Sequence, residues 1–271
     1  MDEFISVVVT TYERPDALDA VLRALSRQTD SRHEVVIADD GSGPATEAVI
    51  DGWRRRLRAP LKHVWDVDEG FRPAHIRNRA SLACEGDYLV FLDGDCVPRP
   101  DFVAAHRRVA ERGYLVSGNR ILLSASLTRD ALASGAPIET WTLPRWLRER
   151  ARSRINRFLP LLKVPGQVWR RWPFMANLRG ANVAVWRDGF EAVDGFDASY
   201  RGWGFEDNDL VQRLGRIGVR IKDGRWATTV LHLWHPLIDR SAASANAERL
   251  RQTAATGRVR ALSGLSALES R

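Results

Sequence analysis

Three short apolar runs, each closed by an acidic or hydroxyl-bearing turn, constrain the fold more than any other feature. Ile5-Ser-Val-Val-Val-Thr-Thr11 is almost wholly β-branched, Glu34-Val-Val-Ile-Ala38 leads into Asp39-Asp40-Gly41-Ser42-Gly43, and Asp87-Tyr-Leu-Val-Phe-Leu92 leads into Asp93-Gly94-Asp95. A strand apolar at consecutive positions must be covered on both faces, as in a parallel sheet between two helix layers. Helical spacing separates the runs. Pro15 and Asp16 open a helix with Leu18, Val21, Leu22 and Leu25 on one face, and another spans Thr46 to Leu57. A weaker strand near His63-Val-Trp65 precedes a helix carrying Arg77 and Asn78. Alternation of this kind predicts an α/β chain with a mostly parallel sheet and helices on both faces.

The rhythm changes between about Ser124 and Met175 and returns at Leu178-Arg-Gly-Ala-Asn-Val-Ala-Val-Trp186. Gly195-Phe196-Asp197 and Gly202-Trp203-Gly204-Phe205-Glu206-Asp207 follow, then a helix from Leu210 to Ile217. A hairpin-like pair around Asp223-Gly224 ends in Leu231-His232-Leu-Trp-His235-Pro236. Beyond it come a helix from Ser244 to Thr253 and a loose end. No apolar run approaches the ~18 residues of a membrane span. Met1-Asp2-Glu3-Phe4 has no basic segment ahead of the first strand, so no signal peptide is expected. Two cysteines, Cys84 and Cys96, are too few for a disulfide framework, and a reducing cytoplasm is the expected setting.

Asp93 and Asp95 lie two residues apart at a strand end, so both carboxylates can face one ligand. In an open parallel sheet that end is where ligands bind, and paired carboxylates there suit a hard divalent cation bridging to phosphate. A solvated turn is the competing reading. His232 and His235 sit among apolar neighbours, where an imidazole needs a partner or a metal. An imidazole beside a carboxylate favours Mn²⁺, and an all-oxygen sphere favours Mg²⁺. Glu206, Asp207 and Asp209 head a helix, where acids offset the N-terminal dipole. The functional alternative makes one of them a general base.

Thr10-Thr-Tyr-Glu-Arg-Pro15, Val36-Ile-Ala-Asp-Asp-Gly-Ser42, Arg77-Asn78 and Phe91-Leu-Asp-Gly-Asp95 together resemble the nucleotide-binding half of the family 2 glycosyltransferases of the GT-A fold. Gly195-Phe-Asp197 with Gly202-Trp-Gly-Phe-Glu-Asp207 resembles the acceptor half shared with β-1,4-galactosyltransferases and bacterial chondroitin-type polymerases. The ordered set covers about residues 4 to 240, apart from the middle stretch. The resemblance implies a GT-A domain over 1–240 built on one Rossmann-like sheet, with a nucleotide-binding half at 1–118. A basic helical insertion at 119–177, an acceptor and metal half at 178–240 and a helical tail at 241–271 complete the expected division. It implies that Thr10, Tyr12 and Arg14 border the nucleotide, that Asp39 bonds uracil, and that Arg77 lies near the uridine or diphosphate. Asp93 would touch ribose or metal. Asp95 would ligate Mn²⁺ (or Mg²⁺) with His232, and His235 is held in reserve. Asp207 would be the base, Glu206 would position the acceptor, and Trp203 would offer a sugar ring a flat surface. Retaining relatives carry Glu-Asn where this chain has Glu206-Asp207, so inversion is expected. The implied activity moves a hexose or N-acetylhexosamine from a UDP-sugar to a saccharide acceptor, free or lipid-linked, in bacterial surface-glycan synthesis. A retaining or non-UDP transferase and a catalytically silent nucleotide-sugar-binding or membrane-scaffold protein are the alternatives. A dinucleotide enzyme is disfavoured, since Gly41-Ser-Gly43 lacks the third glycine of the phosphate fingerprint.

Charge adds a location. The chain carries 41 Lys+Arg against 34 Asp+Glu, a net of +7, yet residues 145 to 171 alone hold eight Arg and one Lys against Glu149. The rest is therefore near neutral. Thr142 and Pro144 open a helix expected to end at Pro160, with Leu147, Ala151, Ile155, Phe158, Leu159 and Leu162 on one face. Two readings fit: an arm lying on an anionic membrane surface, or an insertion packed on the core with its arginines solvated. Nucleic acid is not expected as a partner, for lack of a reader motif. The enzyme is expected in the cytoplasm, peripheral on the inner membrane.

Overall fold

The computed structural model describes residues 3–162, 171–172, 180–237 and 239–269. The first half runs β1 (Ile5–Thr11), α1 (Pro15–Leu25), β2 (His33–Asp39), α2 (Pro44–Arg54), β3 (Leu61–Trp65), α3 (Pro73–Leu82) and β4 (Tyr88–Asp93). Proline opens each of these three helices, where its missing N–H costs nothing and its fixed φ suits the first turn. There follow β5 (Cys96–Pro98), α4 (Phe102–Val109), β6 (Tyr114–Ser117), β7 (Arg120–Leu122), α5 (Ala125–Ser134) and α6 (Leu143–Ala151). The chain continues as β8 (Arg171–Trp172), β9 (Asn182–Trp186), α7 (Arg187–Ala192), α8 (Glu206–Arg216), β10 (Arg220–Asp223), β11 (Val230–His232), α9 (Ala243–Thr256) and α10 (Ser266–Glu269).

One eight-stranded sheet has the order β3-β2-β1-β4-β9-β6-β10-β8, and a three-stranded sheet has the order β5-β11-β7. Strands β3, β2, β1 and β4 are parallel, as the apolar runs require, while β9 inserts antiparallel between β4 and β6. Alternate residues serve opposite faces. Val7, Val9, Val35 and Ile37 pack with Leu18, Leu22 and Ile50 of α1 and α2, whereas Val8, Val36, Leu89 and Phe91 pack with Ile76, Phe190 and Leu210 of α3, α7 and α8. The expected two-faced α/β sheet is therefore present.

Three expectations need correction. The residues around Asp223-Gly224 form no hairpin: β10 joins the large sheet beside β6, and β11 joins the small sheet between β5 and β7. Gly224 donates its N–H to the Ser117 carbonyl at 2.8 Å, and a Cβ there would lie 2.7 Å from Thr228 Oγ1. The basic helix stops at Ala151 instead of Pro160, because Ser153 takes a left-handed φ of 57° and Ile155 makes a β-bridge to Leu123. Its supposed apolar face is not the buried one: Trp146 and Glu149 turn inward and Leu147 outward. The end of the chain is not loose. Leu265 enters the α3–α8 core, and Arg258 reaches Asp197 and Asp209. Lys163, Arg170 and most of the chain from 163 to 179 lie outside the described residues.

Candidate active site

The small sheet exists where the two acidic and histidine motifs must meet. In the antiparallel β5–β11 ladder His232 pairs with Cys96, and the Leu233 N–H bonds the Asp95 carbonyl at 2.9 Å. Register alone thus brings His232 beside Asp95. Gly94 makes the turn possible: its N–H donates to the Thr10 carbonyl at 2.7 Å, and any Cβ would sit 2.7 Å from that same oxygen. His232 Nε2 lies 3.6 Å from Asp95 Oδ1, and His235 Nε2 lies 3.6 Å from Asp95 Oδ2. These separations are too long for hydrogen bonds. They suit donors sharing one ion, since two ligands each ~2.1 Å from a metal stand about 3–4 Å apart. One ligand atom from each of the three residues falls within 4.8 Å of the others, so the group could hold a divalent cation. Burial raises the Asp95 carboxyl above its ordinary range and lowers the His232 imidazole; a cation would return the carboxyl to its ionised form and would favour the same neutral imidazole that burial favours. The fold presents both His232 and His235 to Asp95.

A second cluster joins the two halves of the chain. The Arg77 guanidinium, on α3 and buried, donates to Thr10 Oγ1 at 3.1 Å, to Asp93 Oδ1 at 2.9 Å and to Glu206 Oε1 at 3.1 Å. It also packs 5.4 Å from the Phe196 ring centre. Next to Glu206, Asp207 accepts the Gly180 N–H at 2.6 Å on Oδ2 and the Asn208 N–H at 2.7 Å on Oδ1. Burial, reinforced by the Glu206 charge, pushes the Asp207 carboxyl up to about 7 against the pull of those N–H groups and Arg77. The residue before them, Phe205, holds a left-handed φ of 74°, a conformation costly for a non-glycine residue. Asp209 has a purely structural place, fully buried with Arg213 at 2.7 Å.

The remaining expected site residues flank these clusters. Thr10 pairs in register with Asp93, and Thr11 with Asp39. Asp39 is buried with Oδ1 on the Ser42 N–H at 2.8 Å and Oδ2 3.0 Å from His63 Nε2. Burial pushes its pKa up, but those two bonds outweigh it and hold the carboxyl low. Tyr12 is exposed and donates to Asp68 at 2.9 Å, and Arg14 pairs with Asp16 at 3.1 Å. Trp203 is half-buried with the Arg240 guanidinium 4.6 Å over its ring. Side-chain bonds therefore unite Thr10, Arg77, Asp93 and Glu206, whereas Asp39 is tied to them by strand register only and Tyr12 just follows the end of β1.

Two residues escaped sequence reasoning. Gly180 donates the backbone bond that fixes Asp207, and a glycine ahead of a strand gives no hint of that. Asp40 is buried, accepts the Arg72 N–H at 2.6 Å on one oxygen, pairs with Arg72 Nε at 3.7 Å through the other, and is pushed up to about 6 by burial. The paired aspartates were its only signal.

The model described as glycosyl transferase family 2 matches residues 6–179, and that described as N-terminal domain of galactosyltransferase matches 167–235. Validoxylamine A glucosyltransferase of Streptomyces hygroscopicus subsp. jinggangensis is 30% identical over 84% of this chain and 56% of its own length. Chondroitin synthase of Escherichia coli is 26% identical over 79% of this chain and 32% of its own. The chain thus spans about half or less of the curated relatives it matches. Among solved structures, the mannosyltransferase PcManGT of Pyrobaculum calidifontis, in complex with GDP-Man and Mn²⁺, superposes with a TM-score of 0.59 at 19% identity. It covers 92% of this chain and 61% of its own. S. aureus TarS gives 0.61 at 14%, covering 92% and 39%. At these identities the likeness concerns the GT-A fold alone.

Proposed function

Because the chain belongs to glycosyl transferase family 2, we propose that it is an inverting, divalent-metal-dependent transferase using a UDP-sugar donor. The sugar is a hexose or N-acetylhexosamine, and the acceptor is a saccharide hydroxyl, free or lipid-linked, in bacterial surface-glycan synthesis. One observation carries the reading: Arg77 bonds Asp93 of the nucleotide half and Glu206 of the acceptor half, so Asp207 sits at the joint between them.

A carboxyl near 7 is matched to proton transfer at neutral pH. Asp207, oriented by the Gly180 and Asn208 N–H groups, takes the proton of the acceptor hydroxyl. The acceptor oxygen then bonds the anomeric carbon from the face opposite UDP, the bond from that carbon to the β-phosphate oxygen breaks, and UDP leaves with the electron pair. Glu206 positions the acceptor and Trp203 carries its ring on the face away from Arg240. Thr10, Tyr12, Arg14, Asp39 and Asp93 border the nucleotide. Asp95, His232 and His235 would hold the metal, with two imidazoles favouring Mn²⁺ over Mg²⁺. A cation bound there supplies neutralisation of charge on the departing diphosphate. Residues 1–118 and 178–240 act as nucleotide and acceptor halves, 119–177 as a basic insertion and 241–271 as a tail. The enzyme works in the cytoplasm, peripheral on the inner membrane, and residues 145–171 face anionic lipid. Hydrolysis of a UDP-sugar panel with and without Mn²⁺ is the test. Turnover of one sugar only with metal is expected, and a failure both to hydrolyse and to bind every UDP-sugar overturns the reading.

A further inference from the structure

The helix α6 carries an outward face that the core does not use. Trp146, buried against Trp141 at 5.1 Å between ring centres, and buried Glu149 form its inner side. Glu149 is the lone acid of the helix, and Arg154 meets it at 3.3 Å while also pairing with Asp130. The outer side is apolar. Leu143, Leu147 and Ala151 recur every fourth residue along one row, with Pro144 beside them, and all four are exposed. Leu147 is 51% exposed and Leu143 40%. Arg148 and Arg152 flank the row on one side and Arg150 on the other, and no acid pairs with any of the three among the described residues. An ordinary surface helix turns its leucines in and its acids out. This one does the reverse.

We propose that the Leu143–Leu147–Ala151 row, with Arg148, Arg150 and Arg152, docks in the headgroup layer of an anionic lipid surface. This narrows the membrane-facing part of the proposed function to one helix face, and it rests on that reading only for the acceptor it would bring near. Lipid satisfies both halves of the pattern, since leucines enter the acyl boundary while arginines meet phosphate. A soluble polyanion would leave the leucines in water, and a second copy of the same face would set arginine against arginine. The face is also tied to the candidate metal group. Ile155, four residues beyond α6, bridges to Leu123, whose N–H bonds the His232 carbonyl at 2.9 Å. A docked α6 would hold Asp95 and His232 near the surface that presents a lipid-linked acceptor.

Co-sedimentation with phosphatidylcholine vesicles, with and without phosphatidylglycerol, tests the proposal on the full chain. The protein should bind the anionic vesicles at low salt, release at high salt and ignore pure phosphatidylcholine. Leu147→Glu and the double variant Arg148→Glu/Arg152→Glu should each lower partition about tenfold or more, with thermal unfolding unchanged. Leu82→Glu, at an exposed leucine of α3, should bind as the parent does. Parent-like vesicle binding by Leu147→Glu overturns the proposal. So does equal binding of a single-stranded oligonucleotide by parent and Leu147→Glu with no vesicle preference. UDP-sugar hydrolysis, run in parallel, separates the two claims. Its absence with vesicle binding intact sinks the transferase reading alone, and lost vesicle binding with hydrolysis intact sinks the surface alone.

Discussion

At the scale of single residues, the proposed chemistry turns on Arg77 and Asp207. Arg77 is the cation shared by Asp93 and Glu206, so its removal leaves two carboxylates uncompensated in a largely buried site. Arg77→Met should cost about 3 kcal/mol in urea unfolding, the order found when one partner of a buried pair is deleted. Asp207→Asn keeps the shape but not the proton acceptor, and should lower kcat by roughly 10²–10⁴ with UDP affinity little changed. Parent-like turnover would remove Asp207 as base. With its carboxyl pushed up to about 7, Asp207 is protonated below that pH and ionised above it. The acid limb of kcat should therefore rise with pH through about 7. Glu206 raises Asp207 through its charge, so Glu206→Gln should move that limb to lower pH.

At the scale of elements, the turn between β4 and β5 bears the most on the proposed function, because it sets both Asp93 and Asp95. Gly94→Ala places a Cβ against the Thr10 carbonyl, and overpacking of this kind costs about 1–3 kcal/mol. Lower thermal stability and weaker Mn²⁺ binding by titration should appear together. A loss of stability with Mn²⁺ binding intact would show that the turn can shift without disturbing Asp95. Much of this scale was legible in the sequence. Strands β1, β2 and β4 announced themselves because burial on both faces demands unbroken apolar runs, and the Asp93-Gly94-Asp95 turn followed from them. Partnership across the chain was not legible. Asp223-Gly224 has hairpin chemistry, yet β11 finds its partners in β5 and β7, which are remote in sequence. Periodicity also predicted the wrong end and the wrong buried face for α6. It weighs leucine against arginine, and here an indole and a Glu149 paired with Arg154 took the inside.

At the scale of the whole molecule, the last thirty or so residues are bonded onto the segment that holds Asp197, Trp203 and Asp209. Arg258 donates to Asp197 at 2.8 Å and to Thr253 at 2.8 Å, while Asn246 donates to the carbonyls of Arg201 at 3.0 Å and Trp203 at 3.3 Å. Asp197 and Asp209 are fully buried, so Arg258→Ala should cost about 3 kcal/mol by urea unfolding even though Arg213 still serves Asp209. A midpoint unchanged from the parent would mean that the tail merely rests on the domain. Composition hid this role, since an Ala/Ser/Arg-rich end reads as solvent-exposed and only the partners of Arg258 and Asn246 reveal the join.

That join fixes where such a chain can be cut and respliced. A chimera meant to trade acceptor preference would have to move 180–269 as one block. A crossover at 240 would graft Trp203 without the Asn246 that grips its loop, and Asp197 without its Arg258 counter-charge. The exchangeable cassette is therefore longer than the matched motif by the whole of α9 and α10.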